Sequence, residues 1–328
     1  MSIILGLETS CDETAAAVVQ DGRIVLASEL NSQTGIHKKF GGVVPEVAAR
    51  YHLEAVNEVI QQALDKSGIA PRELTAIACT QGPGLIGTLL VGLSAAKAMS
   101  WVLQKPLLTV DHLYAHICAN YINTELEPPF ICLLVSGGHS QVIHVKAHKD
   151  WEILGQTLDD AAGEAYDKVA RLLGLGYPGG PMIDKVAREG DSRAFKFPEG
   201  TVKGYDFSFS GLKTAVLRTV EKLEKPLPVS DLAASFQDAV NRVLFRKTHQ
   251  AAMALNVDKI VLAGGVAANK DLRRRFSELD SEGAIKVFMP DLQYCTDNAA
   301  MVASCAYFAG VETGLDCTAY SRQATASI

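Results

Sequence analysis

The sequence predicts an α/β protein of two domains with related topology and a cleft between them, on three observations. A chain of 328 residues is too long for one small core and suits two domains of ordinary size. Short apolar runs alternate with longer stretches of helical pattern. The succession strand, loop, strand, strand occurs at the N-terminus and begins again at Phe130, which reads as an internal repeat. With 48% hydrophobic residues, 21% charged residues and no low-complexity tract, the composition is that of a folded globule.

In chain order, residues 3–7, 15–19 and 24–27 are apolar and Asp21-Gly22 supplies a hairpin turn, so the chain opens as a three-stranded antiparallel meander. The loop Glu8-Thr9-Ser10-Cys11-Asp12-Glu13-Thr14 puts hydroxyls and three carboxylates where a plain connection needs a turn residue or two. A solvated acidic turn is its plainer reading. After Gly41-Gly42, Pro45 opens a helical pattern to about Ser67, with Gly68 as its stop. Residues 76–80 read as a buried strand, followed by a glycine-rich loop and an apolar helix to about Leu103. Gly82 and Gly87 have P-loop spacing, but Thr88 and Leu89 stand where Lys and Ser or Thr belong, so close helix–strand packing is the better account. A strand at 107–110 precedes a helix that carries His112 and His116 and extends to near Pro128-Pro129.

The second half repeats the plan, with strands at 131–135, 141–145 and 151–154 and the tight loop Ser136-Gly137-Gly138-His139 after the first. A helix from about Asp159 toward Leu173, helical patterns near 181–189, 211–224 and 230–255, a strand at 260–263 and a helix bearing Arg273-Arg274-Arg275 follow. The last strand covers 285–289. These assignments divide the chain into residues 1–127 and 128–296, with a closing helix over 297–328 packing back on the first domain.

Several function classes are excluded. A net charge of -6 argues against a general electrostatic hold on nucleic acid, although it leaves room for a local basic patch or a basic partner. The N-terminus lacks the basic start and apolar length of a signal peptide, and the most apolar segment, 89–103, is short for a membrane span and carries Lys97. A cytoplasmic location is expected. Seven cysteines without a C-x-x-C pair suit reduced core thiols.

Chemistry concentrates in three places. His112 and His116 lie four residues apart, where one helical face presents both imidazoles to a single metal ion. Asp297, in Thr296-Asp297-Asn298 at the start of the closing helix, is the candidate third ligand, since Thr296 can serve as the cap and leave the aspartate free. Two imidazoles and a carboxylate with open positions suit iron or zinc. The glycine pairs Gly137-Gly138 and Gly264-Gly265 follow buried strands, where amide groups can turn toward a phosphate or a flat adenine. A zincin needs glutamate directly after its first histidine and this chain has Leu113, so peptidase chemistry lacks its base. The histidines at 37, 52, 144, 148 and 249 are expected at the surface or in structural roles.

Taken together, Leu7-Glu8-Thr9-Ser10-Cys11-Asp12-Glu13-Thr14, Gly41-Gly42-Val43-Val44-Pro45-Glu46, His112 with His116, Leu134-Val135-Ser136-Gly137-Gly138-His139 and Ala263-Gly264-Gly265-Val266-Ala267-Ala268-Asn269 resemble the signatures of the tRNA N6-adenosine threonylcarbamoyltransferase family, called TsaD in bacteria and formerly described as an O-sialoglycoprotein endopeptidase. The resemblance implies two RNase-H-like domains of the actin, sugar kinase and Hsp70 (ASKHA) type around a central cleft. It implies one divalent metal, Fe(2+) foremost and Zn(2+) as the alternative, on His112, His116 and Asp297. It implies a nucleotide end of the substrate lying against Ser136, Gly137, Gly138, Asp167, Gly180, Asp184 and Asn269, with Leu134, Val135, Gly264 and Gly265 of the same motifs beside them.

The implied reaction moves the threonylcarbamoyl group from threonylcarbamoyl-AMP to N6 of adenosine 37 in tRNAs that read codons beginning with A. Asp12 or Glu13 is the expected base, with Ser10 in the same catalytic loop. The implied partners are tRNA, a shorter TsaB-type paralogue joined through the N-terminal domain, a small TsaE-type ATPase, and an upstream TsaC-type enzyme that makes the adenylate. The alternatives are a small-molecule kinase of the same fold, which needs no histidine pair, and a non-catalytic paralogue scaffold, which would lack the metal ligands.

Overall fold

The structure, a computed structural model, describes residues 1–200 and 202–322. The chain forms two compact units, one of residues 1–126 together with the segment from Pro290 onward, the other Glu127–Met289.

The first unit begins with the strands β1 (Ile3–Glu8), β2 (Glu13–Gln20) and β3 (Ile24–Ser32) as an antiparallel meander. Asp21 and Gly22 both have positive φ, 50° and 69°, which is the type I′ hairpin geometry that matches strand twist. A one-turn helix α1 (Thr34–His37) and a 3-10 turn, Lys38–Phe40, lead to α2 (Pro45–Ser67), which starts on proline and stops at left-handed Gly68 as expected. The strand β4 (Ala76–Gly82), the helix α3 (Ile86–Leu103) and the strand β5 (Leu107–Asp111) follow, with β4 parallel to both β1 and β5.

The helix α3 is long and apolar enough by length and composition to cross a membrane, which the reading of 89–103 as too short missed. Its buried face, including Leu89 and Leu93, belongs to the core, and its Lys97 donates to Cys317 O at 2.5 Å.

The helix α4 (His112–Cys118) is far shorter than expected and passes into a 3-10 turn at Ala119–Tyr121. Arg23 explains the break: its guanidinium donates to the carbonyls of Tyr121, Thr124 and Leu126 at 3.4, 2.6 and 3.1 Å, holding oxygens that a continuing helix would use.

The second unit repeats the meander in the strands β6 (Phe130–Val135), β7 (Ser140–Ala147) and β8 (Asp150–Gln156). The helices α5 (Ala162–Leu172), α6 (Gly179–Val186), α7 (Ser210–Val220) and α8 (Val229–Leu255) precede the strand β9 (Lys259–Ala263), the helix α9 (Lys270–Ser281) and the strand β10 (Lys286–Phe288). The sheet order is β10-β9-β6-β7-β8, with β9 parallel to β6. In both units the first strand therefore pairs antiparallel with the second and parallel with the fourth. Ile131, Leu133, Tyr166, Phe236 and Phe276 fill the core of the second unit.

Back in the first unit, α10 (Ala299–Ala309) lies against β1 so closely that a Cβ on Gly6 would stand 2.5 Å from Ala299 O. The strand β11 (Val311–Thr313) then adds antiparallel to β5, giving the order β11-β5-β4-β1-β2-β3. The closing helix expected over 297–328 thus ends at Ala309, where the chain turns at Gly310 to become an edge strand; positions 323–328 lie outside the described residues. All seven cysteines are free, five of them buried, as a reduced core requires.

Candidate metal centre and acidic loop

Two strand ends and two helix starts of the first unit carry the site. Asp111 caps α4, its Oδ1 accepting from the amides of Leu113 and Tyr114 at 2.9 and 3.0 Å, and this fixes the turn on which His112 and His116 stand. The imidazole centroids are 4.7 Å apart. Asp297 approaches both, its Oδ1 lying 3.2 Å from His116 Nε2 and 3.8 Å from His112 Nε2. The cap of α10 is Asn298, which accepts from Met301 N at 2.9 Å; the expectation that Thr296 would serve fails, yet Asp297 is left free all the same.

One donor atom from each of His112, His116 and Asp297 lies within 4.8 Å of the others, a set that fits a divalent cation. Burial works against charge on His112, but Asp297 and then Glu8 outweigh it and raise its pKa, while His112 and His116 hold Asp297 below the usual carboxylate range despite its burial. Positive charge between these groups is what the carboxylates favour. A bound cation would take over that role.

Glu8, to which the sequence alone assigns no role of its own, completes the centre from the far side of His112. It is fully buried, and its Oε2 lies 3.3 Å from His112 Nδ1 and accepts from Thr80 Oγ1 at 2.6 Å, while its Oε1 accepts from Ser10 N at 2.5 Å. A carboxylate on the second imidazole nitrogen fixes the tautomer and leaves Nε2 free for a metal. Ser10 Oγ lies 3.2 Å from the same Nδ1, so Ser10 meets His112. The sequence marks Glu8 only as the acidic residue that ends the first apolar run, and the fold brings it to His112.

The acidic loop is clamped on two sides. Toward α3, Leu85 N and Thr88 Oγ1 donate to Ser10 O, and Thr9 Oγ1 donates to Thr88 O while accepting from Gly92 N. Toward α2, His52 Nε2 donates to Cys11 O at 3.0 Å, and Gln33 N donates to Asp12 O at 3.0 Å. His37 in turn holds Gln33, with Nε2 donating to Gln33 Oε1 at 3.1 Å and Nδ1 accepting from Val44 N at 3.3 Å. Both His37 and His52 are fully buried, so of the surface or structural roles expected for them it is the structural one that they fill. Asp12 and Glu13 remain half-buried at the loop's end. Burial, with Asp297 and Asp12 nearby, pushes the Glu13 carboxyl up to about 9.

In the second unit the other expected residues also gather. Ser136 N donates to His139 O at 2.8 Å, closing a tight turn in which Gly137 and Gly138 are exposed. Leu134 and Val135 are fully buried and carry that turn as strand. Gly264 has φ 84°, and a Cβ there would stand 2.4 Å from Val135 O, so glycine is what lets the ends of β6 and β9 meet. Gly265 begins a 3-10 turn, Gly265–Ala268, that delivers Asn269 to the start of α9, where its Oδ1 accepts from Leu272 N at 2.9 Å. Asp184 bridges α6 to this point by accepting from Lys270 N at 3.1 Å, and Asp167 accepts from Gly179 N at 2.7 Å beside the half-buried Gly180. Asp184 also pairs with Arg188 at 2.7 Å, so both its oxygens are engaged.

Residues 24–304 match the family TsaD, tRNA N6-adenosine threonylcarbamoyltransferase. The chain belongs to the TsaD family. It is 55% identical over 309 residues to the tRNA N6-adenosine threonylcarbamoyltransferase of Thermosipho africanus, covering 93% of each chain. Among solved structures, HypF from T. kodakarensis superposes with a TM-score of 0.65 at 17% identity, over 93% of this chain and 47% of that one. A ROK hexokinase from Thermus thermophilus gives 0.50 at 14% identity, over 93% and 97%. These likenesses make the fold one of the ASKHA type, as expected. In TsaD terms, the acidic loop and the His-His-Asp set belong to the first unit and the glycine turns to the second.

Proposed function

We propose that this chain transfers the threonylcarbamoyl group from threonylcarbamoyl-AMP to N6 of adenosine 37 in tRNAs reading ANN codons and releases AMP. Family membership combined with the convergence of His112, His116 and Asp297 supports this reading most directly. The exocyclic amine of adenine is a weak nucleophile because its lone pair is delocalised into the ring, so the acyl group must arrive activated, and a mixed anhydride with AMP supplies that. The bond between the carbonyl carbon and the phosphate oxygen breaks, the carbon–N6 bond forms, and the proton lost from N6 passes to a carboxylate.

Asp12 is the group to take that proton, since the raised Glu13 carboxyl beside it keeps its own proton near neutrality, and the loop that carries both has its backbone held from both sides. His112, His116 and Asp297 would hold one Fe(2+) or Zn(2+), with Glu8 orienting His112. When bound, such an ion supplies Lewis-acid polarisation and a template for substrate oxygens. In the second unit, the exposed amides of Gly137 and Gly138 and the surroundings of Gly180, Asp184, Gly264, Gly265 and Asn269 suit the AMP portion. The reaction is cytoplasmic and engages a TsaB-type paralogue and a TsaE-type ATPase, with a TsaC-type enzyme upstream.

The test is reconstitution with those proteins and unmodified tRNA, scored by mass spectrometry of adenosine 37. Threonylcarbamoylation at that position supports the reading. An unmodified tRNA, together with phosphoryl transfer from ATP to a small metabolite, would replace it with a kinase.

A further inference from the structure

An acidic protein that acts on a polyanion needs local cationic contacts, and the 3-10 turn Lys38–Phe40 offers them close to the acidic loop. Lys38, Lys39 and Phe40 are consecutive and exposed, with Phe40 at 59%. Neither lysine forms an ion pair among the described residues. Three other cations of this unit are occupied: Arg50 with Glu46, Lys66 with Glu29, and Lys97 on Cys317 O. The Phe40 ring makes no ring contact among the described residues, so its face is open to a stacking partner.

The turn is also anchored. His37, immediately before it, is buried and hydrogen-bonded on both ring nitrogens, to Gln33 and to Val44 N on the far side of the turn. Gln33 N in turn holds Asp12 O. Two hydrogen bonds thus lead from the base of the turn to the acidic loop. Two free cations beside an exposed aromatic ring match the chemistry of single-stranded RNA, in which phosphates meet lysines and an unstacked base lies on the ring.

Resting on the proposed function, we propose that Lys38, Lys39 and Phe40 form an RNA-contact surface that grips unpaired nucleotides next to the adenosine being modified. The test uses the full-length chain in its reconstituted assembly, titrated with an unmodified tRNA transcript across a range of salt. The double variant Lys38→Glu/Lys39→Glu raises Kd about tenfold or more and flattens the salt dependence by about 1.4, since each phosphate contact to a single strand contributes about 0.7. Phe40→Ala weakens binding about tenfold and leaves the salt slope as it was, because stacking releases no counterions. Arg72→Glu, an exposed charge reversal elsewhere on the same unit, leaves both unchanged.

Parent-like Kd and slope in both variants would overturn the proposal and make the turn a solvated face. So would loss of a partner protein from the assembly with RNA affinity intact, which makes it a protein-docking face. If the parent assembly fails to modify adenosine, the function reading falls. If it succeeds and the variants bind RNA as the parent does, only this inference falls.

Discussion

His52 Nε2 donates to the carbonyl oxygen of Cys11 at 3.0 Å, and because that carbonyl can only accept, Nδ1 is left to accept from the Thr14 hydroxyl at 2.8 Å. One neutral, buried imidazole on α2 therefore spans the acidic loop from Cys11 to Thr14. Removing it strands two buried polar groups. His52→Ala is expected to cost about 1–3 kcal/mol in denaturant unfolding. Transfer should fall more than adenylate affinity does, with metal content unchanged and His52→Gln intermediate. Full turnover in a folded His52→Ala protein would show that the loop holds its shape without this clamp.

The metal centre predicts a joint loss. His112→Ala/His116→Ala removes two of three donors, so metal measured by elemental analysis and threonylcarbamoyl transfer should vanish together. Chelation of the parent should do the same, with recovery on adding Fe(2+) or Zn(2+). A double variant that is free of metal and fully active contradicts the assignment.

Glu8→Gln keeps the volume and removes the charge that faces His112 Nδ1. Metal affinity, read by competition with a chelator, should weaken about 10- to 100-fold. Unchanged affinity would mean that Ser10 alone orients the ring.

Gly264→Ala tests the junction of β6 and β9. A methyl group would meet Val135 O at 2.4 Å on a backbone with φ 84°, so the expected loss exceeds about 1 kcal/mol, seen as a lower melting temperature.

Acid stability should show the contribution of Asp271. Burial pushes its pKa up, but hydrogen bonds from Arg275, Asn241 and Arg274 outweigh burial and hold it below the ordinary value of about 3.9. A depressed carboxylate stabilises fully above its unfolded pKa, and that contribution disappears as pH falls through the folded one. The difference in unfolding free energy between the parent and Asp271→Asn should be constant near neutrality and shrink below about pH 4. A difference that grows on acidification would reverse the sign.

Much of this was legible in the residues themselves. Apolar runs separated by Asp21-Gly22, Pro45 and Gly68 announce turns and helix ends through backbone geometry alone, and those boundaries hold. The spacing of His112 and His116 is likewise a local property of a helix. Contacts across long stretches of chain were not legible. Nothing local in His37 or His52 says that the loop at 9–14 folds over them, and nothing in Arg23 says that it cuts α4 short by binding carbonyls at 121–126. Glu8 has no evident role in the sequence alone, because a carboxylate at a strand end acquires one only when His112 is brought to it.

The first unit is assembled from both ends of the chain, and this sets an order of events during synthesis. His112 and His116 leave the ribosome well before Asp297, with the whole second unit emerging in between. Until α10 arrives to cover Gly6, the sheet that carries the histidines has one side open and the third ligand is missing. A chain released before α10 lacks Asp297 and so offers only two of the three donors that the folded first unit brings together.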